Sequence, residues 1–137
     1  MIERFIILGM LLAGVGIAVL AWRQWRVVAL RRLQTHDLPA PLAALDLRVP
    51  TLLYFTADHC AQCKLQQAPV LEQLHRAYQV PIHTIDAVAE PDLARYFNVM
   101  TVPTTVVLDT RRRPAAINYG LAPLARLHEQ LQAAGVA

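Results

Sequence analysis

The chain has 137 residues, 55% hydrophobic and 17% charged, with a formal net charge of +3. That length holds about one domain. The positive surplus comes largely from arginines following residue 22 and from Arg111-Arg112-Arg113, and with no aromatic residues interleaved the triple-arginine run reads as a solvated turn, which argues against a nucleic-acid-binding role.

Much of the mean hydropathy of +0.34 resides at the start of the chain. From Phe5 to Trp22 there are 18 residues without a charge. As a helix they span roughly 27 Å, close to the ~30 Å hydrocarbon core of a bilayer. Trp22 and Trp25 stand where interfacial aromatics belong. A single transmembrane helix is therefore expected, and a single-pass membrane protein with it. A cleaved signal peptide is the rival reading. Against it, Glu3 offsets Arg4, the apolar stretch is long, and no small-x-small site precedes Trp22.

Arg23, Arg26, Arg31 and Arg32 follow the span, so the positive-inside rule places the rest of the chain in the cytoplasm, with an extracytoplasmic domain as the alternative. The side matters because a cytoplasmic thiol pair rests reduced and donates electrons. Gly9/Ala13 and Gly14/Ala18 are small-xxx-small pairs that permit a weak helix-mediated dimer, although a span so rich in Ala and Gly contains such pairs readily. Residues 1–34 thus read as anchor and basic juxtamembrane segment, 35–41 as a proline-bearing linker, and 42–137 as the domain. Leu42 to Leu47 suits either a short helix or a short edge strand.

Pro50 to Thr56 predicts a strand covered on both faces. A helix follows from near Cys60, with apolar positions at Leu65, Ala68, Leu71, Leu74 and Tyr78. Pro69 inside it removes a backbone hydrogen bond and predicts a kink. Pro81 to Asp86 is a second strand that Asp86 terminates. Glu90 to Phe97 is a short helix with Pro91 in its first turn. A loop from Val99 opens a third strand through Thr104 and Thr105. Arg111 to Pro114 turns the chain back into Ala115 to Tyr119, Gly120 breaks that strand, and Leu121, Leu124, Leu127 and Leu131 mark a closing helix. This order predicts an α/β fold, a mixed sheet flanked by helices.

Both cysteines lie in Cys60-Ala61-Gln62-Cys63, between the first strand and its helix. Free N–H groups and the positive end of the macrodipole favour a thiolate there. Cys60, nearer the helix start, is the candidate nucleophile, and Cys63 the resolving thiol. Lys64 and protonated His59 add positive charge, Asp58 opposes them, and a lowered thiol pKa is expected at Cys60. A structural zinc needs about four ligands, and of His36, His59, His75, His83 and His128 only His59 is adjacent, so no metal is expected. A lone structural disulfide would more commonly join distant segments.

Cys60-Ala61-Gln62-Cys63-Lys64 after a strand, Val102-Pro103-Thr104 opening another, and Gly120 after the hairpin together resemble the thioredoxin family over roughly Leu42 to Gly135. The resemblance, closest to membrane-anchored bacterial members, implies a thioredoxin-like fold. It also implies thiol–disulfide exchange with protein substrates, fed by an unidentified electron donor, with the Cys60–Cys63 disulfide in place of any cofactor. It further implies a cis peptide before Pro103, with that loop against the cysteine pair and Val102 offering backbone groups to a substrate chain, beside His59, Ala61 and Gln62. The departures are Tyr54 where a buried Asp is usual, His59 for Trp, and Ala61-Gln62 for Gly-Pro. Tyr54 would be a poor base near neutral pH. The alternative function is a redox-inactive or metal-handling adaptor that holds a partner at the membrane.

Overall fold

The computed structural model describes residues 2–34, 42 and 49–136, and within the first helix the side chains at 6–7, 9–25 and 27–28. The chain divides into two compact units, Met1–Arg32 and Leu33–Ala137. The first is a helix, α1 (Ile2–Gln34). Its described apolar side chains, Met10, Leu11, Leu12 and Ile17 among them, are exposed. Its longest unbroken run of described side chains covers 9–25, and among the described residues no helix is long and apolar enough to cross a membrane. The linker expected at 35–41 lies outside the described residues, and so does the choice between helix and strand for 42–47, apart from Leu42, which is buried.

The second unit is built on four strands, β1 (Thr51–Thr56), β2 (Ile82–Asp86), β3 (Thr104–Leu108) and β4 (Pro114–Tyr119), ordered β2-β1-β3-β4. β2 runs parallel to β1, while β1/β3 and β3/β4 are antiparallel, so the sheet is mixed as expected. The central strands β1 and β3 are the most deeply buried. Residues 51–55 and 104–108 are all buried, whereas β4, at the edge, mixes buried and exposed positions.

To the same unit belong the helices α2 (Ala68–Tyr78), α3 (Pro91–Tyr96) and α4 (Leu124–Ala134). Leu71 and Leu74 of α2 join Leu127, Leu131 and Ala134 of α4 in one core cluster with Leu52, Tyr54 and Val107. Full burial of each such leucine contributes about 1.5–3 kcal/mol. The closing helix begins later than the leucine spacing suggests. Pro123 has the extended backbone of a residue ahead of a helix, and Leu121, 41% exposed, stays outside.

The triple-arginine run is the solvated β3–β4 turn. Arg111 and Arg113 donate their N–H groups to one Asp109 oxygen, each at 2.8 Å. Asp86 terminates β2 as expected, its carboxylate accepting from Val88 N–H (2.7 Å) and Ala89 N–H (3.1 Å).

Register decides what meets at one end of the sheet. Phe55 faces Thr104, Thr104 faces Tyr119, and Thr56 faces Asp86. Hence the segment after β1, the segment before β3 and the segment after β4 all emerge at the same edge, and Ala87 N–H closes onto Thr56 O at 2.9 Å beside them.

Candidate redox site

At that end β1 runs into a tight turn, in which Cys60 N–H donates to Ala57 O at 3.0 Å. Cys60 O then accepts the first helical bond, from Lys64 N–H at 3.3 Å. This makes Cys60 the cap residue of the helical stretch, the position whose side chain normally accepts from a free N–H of the first turn. Its sulfur does so: Cys63 N–H points at Cys60 Sγ, 3.1 Å away. The two cysteines form a disulfide, S–S 2.03 Å with Cα atoms 5.2 Å apart. Cys60 is half-buried and Cys63 is fully buried. Among the described residues, no group of three or more His, Cys, Asp and Glu side chains is arranged to hold a metal ion.

Beyond Cys60 the helix does not proceed as the spacing suggests. Cys63–Gln67 is a π turn, with Ala68 N–H bonded to Cys63 O five residues back. It immediately precedes Pro69, which lacks an N–H and crowds the carbonyl four residues earlier in a straight α-helix; a widened turn relieves that crowding. The interruption expected at Pro69 thus takes the form of a π turn.

Leu65 does not face the core. It is 76% exposed, because nine residues at ~100° each set it about half a turn from Leu74. The buried face is instead Cys63, Gln67, Leu71 and Leu74. Gln67 is the functional residue the sequence reading missed, and its spacing four residues from both Cys63 and Leu71 was the available signal. Its amide clasps the backbone of Ala122, donating to Ala122 O at 3.1 Å and accepting from Ala122 N–H at 2.8 Å.

Tyr54 stands on β1 with its hydroxyl donating to Cys63 O at 3.0 Å. Burial pushes its phenol above the ordinary value, and a hydrogen bond with the Thr56 side chain works the other way. The proton is therefore held on Tyr54 and directed at a main-chain carbonyl.

The proline loop leads into β3 at the same end of the sheet. The Val102–Pro103 peptide is cis, Thr104 Oγ1 donates to Thr101 O at 2.7 Å, and Gly120 N–H donates to Pro103 O at 2.8 Å. Val102 and Cys60 both pack on the cluster that contains Cys63, Tyr54 and Ala122. The disulfide joins Cys60 to Cys63, Val102 packs on the same cluster, and His59, Ala61 and Gln62 are exposed on the turn that carries Cys60. His83 stands on β2 opposite Leu53 of β1 and is half-buried.

A family model described as thioredoxin matches residues 43–133. The chain belongs to the thioredoxin family. It is 27% identical over 90 residues to the chloroplastic M-type thioredoxin of Spinacia oleracea, a match covering 64% of this chain and 49% of that one. A thioredoxin-like protein of Synechocystis is 33% identical over 85 residues (61% and 79% covered), and thioredoxin of Mycobacterium tuberculosis is 37% identical over 65 (46% and 55%). The chain thus spans about half the length of two of these curated relatives. Among solved structures, oxidised mitochondrial thioredoxin 3 of Saccharomyces cerevisiae superposes with a TM-score of 0.55 at 26% identity, covering 64% of this chain and 82% of that one. Thioredoxin-2 of the malaria parasite gives 0.57 at 23%, covering 62% and 82%.

Proposed function

We propose that this thioredoxin-family protein is a membrane-anchored thiol–disulfide oxidoreductase acting on protein disulfides. The observation that carries the reading is the Cys60–Cys63 pair on the opening turn of a helix, with Cys63 N–H directed at Cys60 Sγ. In the reduced protein that N–H favours the Cys60 thiolate over the thiol. The thiolate attacks a substrate disulfide, forming a Cys60–substrate bond and releasing one substrate thiolate, which takes a proton from water. Cys63 loses its proton to solvent and attacks Cys60 Sγ. The Cys60–Cys63 bond forms, and the second substrate sulfur leaves. Two electrons have passed to the substrate, and a thiol or dithiol donor returns the pair to the reduced state. Val102, His59, Ala61 and Gln62 flank the path of the substrate chain.

The anchor rests on the charge-free stretch from Phe5 to Trp22. The arginines that follow it favour a cytoplasmic domain, and labelling of Cys60 in intact cells by a membrane-impermeant maleimide would overturn that orientation. Insulin reduction by the purified protein, with free thiols counted before and after dithiothreitol, tests the activity itself. Turnover is expected to vanish in Cys60→Ser and to stall at a mixed disulfide in Cys63→Ala. Multiple turnover by Cys63→Ala would rule out the two-thiol cycle.

A further inference from the structure

The resolving step needs Cys63 Sγ placed on the line of the Cys60–substrate bond, and small misplacements of a reacting group cost heavily in rate. Cys63 is held by its main chain as well as its sulfur. Its carbonyl accepts from Ala68 N–H across the π turn and, at 3.0 Å, from the Tyr54 hydroxyl. Turns of this kind are rare and short within α-helices and gather at functional sites, so one that begins on a reactive cysteine calls for a support from outside the helix.

Tyr54 is well suited to that part. It stands on the central strand β1, paired with Thr84 on one side and Thr105 on the other. Its ring is buried, so the hydroxyl is delivered from a fixed base. Without the hydroxyl the Cys63 carbonyl keeps its bond from Ala68 N–H, so the loss falls on placement rather than on an orphaned polar atom.

We propose that Tyr54 is a positioning residue for the resolving thiol: its hydroxyl, bonded to the Cys63 carbonyl, fixes the start of the π turn so that Cys63 Sγ meets Cys60 Sγ. This rests on the exchange reaction proposed above, but its test does not need a protein substrate.

The full chain, in detergent micelles, is equilibrated with reduced and oxidised glutathione, wild type beside Tyr54→Phe, which keeps the ring and its packing. Tyr54→Phe is expected to lower the equilibrium constant for closing the Cys60–Cys63 disulfide by about three- to tenfold, the range of one net hydrogen bond. Tenfold corresponds to about 30 mV for a two-electron couple. The Cys60–glutathione mixed disulfide is expected to persist longer by a similar factor. A purely structural hydroxyl would stabilise the oxidised and reduced proteins alike, as read by urea unfolding of each. In that case the constant stays within twofold of wild type, which overturns the proposal, as does an unchanged mixed-disulfide lifetime. Insulin turnover by wild type judges the exchange reaction separately: its absence, with the Tyr54→Phe shift present, would remove the function and leave the positioning role standing.

Discussion

Gln67→Met replaces a buried amide by an apolar chain of similar length, and its cost can be worked from two hydrogen bonds. Gln67 is 1% exposed, and its amide serves both backbone groups of Ala122, itself 2% exposed. Truncating the amide leaves the Ala122 N–H and C=O unsatisfied, and each buried group so orphaned costs roughly 1–3 kcal/mol. Methionine recovers part of this by packing without a polar group to desolvate, so the net loss should be about 2–4 kcal/mol. For a domain near 100 residues, each kcal/mol lowers Tm by about 4–8 °C. The assay is urea unfolding of the oxidised protein, with Gln66→Met, an exposed neighbour, as a control expected within ~0.5 kcal/mol of wild type. Amide exchange at Ala122 should accelerate in Gln67→Met alone. If Gln67→Met unfolds at the control's midpoint with Ala122 exchange unaltered, the clasp does not hold the π turn to the segment after β4 and the reasoning fails.

Other outcomes follow from the same geometry. Because burial raises the Tyr54 pKa in the folded state, its contribution to stability is complete below the ordinary phenol value of about 10 and is lost as pH rises through the folded-state value. Melts of the oxidised protein should therefore fall off above about pH 10, and Tyr54→Phe should flatten that decline. Gly120 has φ +86° and open space where a Cβ would stand; Gly120→Ala should cost about 1–2 kcal/mol from backbone strain alone, and a neutral result by urea titration would show that the turn relaxes freely. Removing residues 1–34 should move the protein from the membrane pellet to the soluble fraction of disrupted cells. A full chain already soluble there would refute the anchor.

The order of strands and helices was legible because its signals are local. The first strand announced itself as an unbroken apolar run, the Asp86 and triple-arginine turns by their residue types, and the reactive pair by spacing. The helix after Cys60 was less legible. Leu65 read as a core position because leucines at repeated steps of three suggest a face, yet steps of three drift around a helix, and the face that is buried holds a glutamine. Polar side chains in a core are satisfied by partners far along the chain, and Ala122 lies 55 residues from Gln67. No pattern around Gln67 reports that partner. The Tyr54 bond to Cys63 spans only nine residues, but it depends on a carbonyl whose direction the π turn sets.

Two hydrogen-bonded links join segments that different strands deliver, Gln67 to Ala122 and Gly120 to Pro103, and a third, Tyr54 to Cys63, ties β1 to the helix that follows it. The first two depend on the pairing Phe55↔Thr104↔Tyr119. A slip of one residue between β1 and β3 would turn every β3 side chain to the opposite face. It would also shift Val102 and Pro103 by ~3.3 Å along the strand. The cysteine motif supplies the chemistry, but the buried faces of β1 and β3 supply the placement. Substitutions at Val106 or Val107 that loosen this register should therefore impair exchange even though neither residue belongs to the site.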